Sequence, residues 1–159
     1  MRFPEKRLRR LRASESIRRL VSRVSLSADD LIYPLFVKKG SSLREEISSL
    51  KGCFFYSPDT VAAEAGRVFS MGIPAVVVFG NAEVKDEQGS EAWSEDGAVQ
   101  QAVREIKREV PGLLVITDVC LCAYTSHGHC GIWRAGRVKN DSTLPLLAET
   151  ALSHAAAGA

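Results

Sequence analysis

Apolar residues along the chain fall alternately into short continuous runs and helical stripes. Leu31-Ile-Tyr-Pro-Leu-Phe-Val37 is a compact apolar run that predicts a buried strand. Pro34 argues for an edge or bulged position there, because proline brings no amide hydrogen to a ladder. Residues 38–56 are mixed and poorly periodic. Ser57-Pro58 then offers an N-cap with proline at the first helical position, and Thr60 to Met71 reads as a helix that Gly72 ends. Pro74-Ala-Val-Val-Val-Phe79 contains a β-branched run and predicts a strand covered on both faces, closed by Gly80. The polar stretch from Asn81 to Asp96 follows the C-terminal end of that strand, where functional loops collect. Within it Lys85, Asp86 and Asp96 read as solvated loop surface.

The pattern then repeats. Val99, Val103, Ile106 and Val110 are spaced by four, three and four, which predicts a helix from about Asp96 that Pro111-Gly112 stops. Leu113 to Cys120 reads as a third strand. A long loop spans about 122–141, and Asn140 or Asp141 can cap a last helix near 143–156, with Leu147 and Leu152 on its apolar face and His154 solvent-facing or at its C-terminal end. Strand and helix in strict alternation predict an α/β protein with a parallel sheet. No internal repeat is visible.

Composition adds little until charge is divided along the chain. The 159 residues are 45% apolar and 25% charged, ordinary values for a globular domain. No apolar run reaches the roughly 18–20 residues needed to cross a bilayer, and the first residues lack a signal-peptide core, so the chain reads as intracellular. The net charge of +2 conceals a basic arm and an acidic body. Residues 1–23 carry nine Lys/Arg against two acids, and the remaining residues carry twelve against seventeen. Leu8, Leu11, Ile17, Leu20 and Val21 give the arm the spacing of a broken amphipathic helix. Docking on protein, its own body or another subunit, is the leading reading; nucleic-acid binding and a solvated tail are the others.

Chemistry gathers at the end of the third strand. In Asp118-Val-Cys-Leu-Cys-Ala-Tyr-Thr-Ser-His-Gly-His-Cys130, strand alternation would project Asp118, Cys120 and Cys122 from one face. A glycine-containing loop returns Cys130, flanked by His127 and His129. Thiolate and imidazole are the donors zinc prefers. Three thiolates with one open position suit a catalytic site. The alternatives are a closed structural site with His127 or His129 as fourth ligand, a Cys-x-Cys redox pair, and plain buried thiols. Cys53, far from the cluster, reads as a core or surface thiol.

The segment VITDVCLCAYTSHGHCG closely resembles the metal-site segment of the porphobilinogen synthase (5-aminolevulinic acid dehydratase) family. LIYPLFVKKG, GIPAVVVFG, KDEQGSEAWSEDGAVQQAVREIK and NDSTLPLLAETALSHAAAGA resemble the same family in the same order. The resemblance implies a (β/α)8 TIM barrel, of which this chain would hold about the first three βα units. Residues 1–28 would be a basic N-terminal arm embracing a neighbouring subunit of a homo-oligomer. Residues 29–159 would be the N-terminal part of the barrel, ending before the fourth strand. Cys120, Cys122 and Cys130 match the zinc (Zn2+) ligands of the zinc-dependent branch, and Asp118 and His129 match active-site residues. The implied reaction condenses two molecules of 5-aminolevulinate, with loss of two waters, to porphobilinogen for tetrapyrrole (haem) biosynthesis. The implied setting is cytoplasmic, with neither nucleic acid nor membrane as partner. The family's two Schiff-base lysines lie beyond the matched region, and none of Lys6, Lys38, Lys39, Lys51, Lys85, Lys107 and Lys139 takes their place. The expectation is therefore that these 159 residues alone lack synthase activity. A non-catalytic zinc-binding or oligomer-modulating fragment is the alternative.

Overall fold

The computed structural model describes residue 5 and residues 9–159, so Lys6 and Leu8 of the arm lie outside the described residues. From Arg9 onward the arm is a single turn at Arg10–Arg12 followed by helix α1 (Glu15–Leu20), which the Ser14 side chain caps by accepting from the Ile17 amide at 3.2 Å. This is the broken helix that the spacing predicts. None of its described residues is buried, and Leu11, Leu20, Val24 and Leu26 are each more than 60% exposed. From Arg9 to Ser27 the arm therefore buries no residue against its own body.

The body is a five-stranded sheet in the order β2-β3-β1-β4-β5, parallel except for β2. Strands β1 (Ile32–Val37), β4 (Ala75–Gly80) and β5 (Leu114–Thr117) are the three expected from the sequence, β5 being shorter than expected. Two more strands lie in the stretch that showed no period, β2 (Arg44–Glu46) and β3 (Phe54–Tyr56). At three residues each, they are too short to establish an alternation. Strand β3 pairs with β1 only at Phe36 and Val37, so Pro34 sits where β1 has β4 alone as neighbour. That edge position is what makes a proline tolerable within the strand.

Helices α2 (Pro58–Ser70) and α3 (Ala98–Glu109) cover one face. Leu35 and Val37, Val76 and Val78, and Val115 meet Val61, Ala65 and Val68 from α2 and Val99, Ala102, Val103 and Ile106 from α3. The whole predicted stripe of α3 is buried, including Val110 just past its end. Each large side chain enclosed in this way contributes about 1.5–3 kcal/mol. Pro58 opens α2, and the Ser57 amide donates to Thr60 Oγ1 at 3.1 Å. The opposite face carries the alternate residues of the same strands. There Phe36 stacks on Phe79 with centroids 5.4 Å apart, while Ile32 and Leu114 remain more than half exposed.

The last helix, α4 (Asn140–Ala157), departs from expectation in three ways. It begins earlier, with Lys139 at the N-cap position and no side-chain cap from Asn140 or Asp141. Instead the Ser142 and Thr143 hydroxyls donate back to the Lys139 carbonyl, at 3.2 and 2.7 Å. Leu152 is 70% exposed and so does not belong to an apolar face. His154, expected in solvent or at the helix end, is buried although it lies in the last turn. Among the described residues, no helix is long and apolar enough to cross a membrane.

Candidate metal centre

Strand β5 ends at Thr117, so Asp118, Cys120 and Cys122 do not share a face by strand alternation. A tight turn brings the thiols together instead. Leu121, fully buried, anchors it, and the Leu121 carbonyl accepts from the amides of both Tyr124 and Thr125 at 2.9 Å. With Leu121 turned into the core, Cys120 and Cys122 on either side turn outward, their sulfurs 3.4 Å apart. Cys130 comes back over them, and the three sulfurs all lie within 4.8 Å of one another. Thiolates around one tetrahedral zinc at about 2.3 Å would be about 3.8 Å apart, so the set fits a single ion with little movement.

The return of Cys130 depends on a clasp between two loops. Asp86, in the polar loop after β4, accepts from the amides of Gln88, Gly89 and Ser90 and from the Ser90 hydroxyl. These bonds, that of the Ser90 hydroxyl foremost, hold its carboxyl below the usual range. The backbone of Asp86 forms a bridge to Thr125, and its carbonyl accepts from the Ser126 amide at 2.8 Å. Thr125 in turn donates its hydroxyl to the His129 carbonyl at 2.8 Å, next to Cys130. Gly89 belongs to the same clasp. Its φ of +74° lies in the left-handed region, and a Cβ there would meet Tyr124 and Thr125 side-chain atoms at 3.2 and 3.3 Å. Asp86 thus organises the metal loop from a position that reads in the sequence as bare surface. The signal that could have found it is an aspartate followed at short range by Gly and Ser, the pattern of a carboxylate gathering successive amides. Lys85 and Asp96 are exposed, as expected.

The histidines stand beside the thiols without joining them. Among the described residues the cluster consists of the three cysteines alone. His127 has both ring nitrogens engaged by backbone: Nδ1 accepts from the His129 amide, and Nε2 donates to the Glu87 carbonyl, each at 3.2 Å. His129 lies flat on Trp133, with ring centroids 3.7 Å apart and planes 17° from parallel. The closed site with an imidazole as fourth ligand is therefore not the arrangement formed. Asp118 is exposed at the end of β5, its amide still donating to the Val78 carbonyl at 3.2 Å. Cys53 is a half-buried free thiol outside the cluster.

Burial pushes the Cys122 thiol up to about 12, with the neighbouring Cys120 and Cys130 adding to the shift. Cys130 is also raised, chiefly by its hydrogen bond with Cys120. Both shifts favour the protonated thiol, so a cation bound here would have to displace protons. The buried Tyr124 phenol is held above its usual value by desolvation, with Glu91 and Asp118 contributing. Its hydroxyl occupies the space where a side chain at position 80 would begin, so only glycine fits the end of β4. On the same rim, Lys39 pairs with Glu91 at 3.1 Å and Lys38 with Glu45 at 2.6 Å.

Comparison with known proteins places this geometry. The family model of delta-aminolevulinic acid dehydratase matches residues 5–159. A delta-aminolevulinic acid dehydratase of Ruminiclostridium josui is 50% identical over 97% of this chain and 75% of its own length. That of Methanothermus sociabilis is 49% identical over 100% of this chain and 49% of its own. The crystal structure of the Toxoplasma gondii ME49 enzyme, porphobilinogen synthase with its reaction product porphobilinogen, superposes with a TM-score of 0.89 at 33% identity. It covers 97% of this chain and 45% of the T. gondii chain, so the parallel sheet described above corresponds to part of a barrel. Apart from the R. josui protein, the chain spans about half the length of these relatives. On the match over residues 5–159, the chain belongs to the delta-aminolevulinic acid dehydratase (porphobilinogen synthase) family.

Proposed function

We propose that this chain supplies the metal-binding portion of a porphobilinogen synthase, in which two molecules of 5-aminolevulinate condense to porphobilinogen with loss of two waters. The observation that carries the proposal is the convergence of the three sulfurs within 4.8 Å at the C-terminal end of a parallel strand. Active sites of (β/α)8 barrels collect at that end. Cys120, Cys122 and Cys130 are the ligands, and an all-thiolate set favours zinc over magnesium. When bound, zinc supplies a Lewis-acid position able to polarise a substrate carbonyl or hold an amine. Asp118, exposed two residues before Cys120, takes or relays a proton at the substrate amine through its carboxylate oxygens. His129, stacked on Trp133 next to Cys130 in the chain, is the second candidate active-site side chain.

The remaining assignments rest on the same family membership. Residues 1–28 form an arm and residues 29–159 part of the barrel. The exposed leucines and valines of the arm suit docking on another copy, which supports reading the functional protein as a homo-oligomer, with the cytoplasm as its setting by family resemblance. Schiff-base chemistry requires an unpaired lysine near the substrate. Lys38 and Lys39, on the site rim, are both held in ion pairs. This observation favours a second reading for the 159 residues taken alone, a zinc-binding fragment without turnover.

The test combines metal analysis with the synthase assay. Purified chain should carry about one zinc per molecule, and Cys122→Ala should lose most of it while keeping its circular dichroism. Unchanged zinc content in the variant would refute the ligand assignment. Formation of porphobilinogen by the 159-residue chain would refute the second reading.

A further inference from the structure

His154 is the one buried polar side chain among the described residues with no hydrogen-bond partner on either ring nitrogen. It is 2% exposed, in the last turn of α4, where that helix packs against α3 and against the short turn Ser90–Trp93. The Ala92 carbonyl faces the ring, but no bond of proper geometry forms, and that oxygen already accepts from Gln100 Nε2 at 2.8 Å. The same Gln100 amide donates to Ser153 Oγ at 2.8 Å, the residue next to His154. Three elements therefore meet at one imidazole. The Gln100 side chain, from α3, ties the other two to its own helix, whereas neither ring nitrogen of His154 holds a hydrogen bond.

We propose that His154 is an internal proton switch: neutral, it lets α4 close against α3 and the Ser90–Trp93 turn, and protonated, it loosens that joint and with it the polar loop that clasps the thiol cluster. An imidazole buried without a well-formed hydrogen bond is favoured uncharged, because the acceptor facing an imidazolium, the Ala92 carbonyl, already accepts from Gln100. The charged groups around the joint do not rescue it. From the end of β5, Asp118 favours the charged ring, but it is exposed to solvent. Glu91, from the Ser90–Trp93 turn, is already paired with Lys39 at 3.1 Å. From α3, Lys107 is a like charge, its Nζ turned to the Pro111 and Leu113 carbonyls. Of the ring's surroundings, burial is the largest influence, and it holds the imidazole below its ordinary value. With the native value depressed, the opened form binds the extra proton. Closure is complete above the ordinary histidine range near 6.5 and weakens as pH falls through the window below it.

The opening equilibrium should rise about tenfold per pH unit across that window, one proton being taken up per opening. Hydrogen exchange on the full chain, corrected for intrinsic rates, reads this as a loss of protection at the amides of residues 150–157 and 90–93 between pH 7.5 and 5. The amides of β1 and β4 should keep theirs. His154→Phe fills the space without a titrating group and should abolish the step. An equal step in that variant, or none in the unaltered chain, overturns the proposal. Should the variant not fold, NMR titration of the three imidazoles in the unaltered chain decides. The proposal requires His154 to stay neutral until the α4 amides open, the two sharing one midpoint. A His154 that titrates near 6.5 while α4 stays protected overturns it.

Discussion

Replacing Asp86 with alanine should weaken metal binding at a site its side chain does not join. The carboxylate gathers three amides and a hydroxyl, and its backbone holds Ser126 and Thr125, at the start of the segment that carries Cys130. A hydrogen bond to a charged acceptor contributes about 1.5–3 kcal/mol when shielded. Asp86 and Ser90 are exposed, so water replaces most of that, and about 1–2 kcal/mol of loop stability is the net loss. One to two kcal/mol is a factor of about 5–30 in the population of the closed loop. Apparent affinity falls with the competent fraction, so zinc binding should weaken by up to that factor. Titration against a chromophoric chelator measures it directly. Asp86→Asn, which keeps one acceptor oxygen but not the charge, should fall between the two. The global melting temperature should move little, because the clasp lies outside the core. Affinity within twofold of the original in Asp86→Ala would refute the clasp as the support of Cys130.

Two further outcomes follow from the geometry at the end of β4 and from the thiols. In Gly80→Ala the new methyl would overlap the Tyr124 oxygen and lie 2.7 Å from Val99 Cγ2. Overpacking of this kind costs about 1–3 kcal/mol, which lowers the melting temperature of a chain this size by about 2–10 °C. Tyr124→Phe added to it should restore part of that, and thermal melts of the three variants would check the assignment. With Cys122 pushed up to about 12 and Cys130 raised, metal must displace protons, so zinc affinity should climb with pH. The expected slope reaches about tenfold per pH unit for each proton displaced between pH 6.5 and 8.5. A dissociation constant flat across that range would exclude these thiols as ligands.

What the chain reveals by itself depends on how many residues state each feature. Val99, Val103, Ile106 and Val110 repeat a helical period over three turns, and all four are buried. Strands β2 and β3 have only three residues each and pair through backbone, so no side-chain alternation marks them. The cysteine cluster was legible from its spacing and its resemblance to a family, but not the means of its assembly. Strand alternation suggested a shared face, whereas the buried Leu121 turns its two neighbours outward from beyond the strand end. The clasp gathered by the exposed Asp86 and the burial of His154 escape the sequence for the same reason. Each is defined by groups distant in sequence, amides across a clasp in one case and three packed elements in the other, and neither residue type announces such surroundings.

The exposed arm gives the molecule an uneven electrical shape. Residues 1–23 carry a formal charge of +7, and the rest of the chain carries −5. Screening in about 0.1 M salt extends roughly 10 Å, so a neighbouring copy responds to the segment of charge nearest it rather than to the whole. A neighbouring molecule therefore meets a cationic segment and an anionic one, instead of the near-neutral sum. Dilute buffer favours head-to-tail encounters between copies, and salt weakens them. Ionic strength thus becomes a control on encounters between copies that the isoelectric point of 8.4 would never suggest.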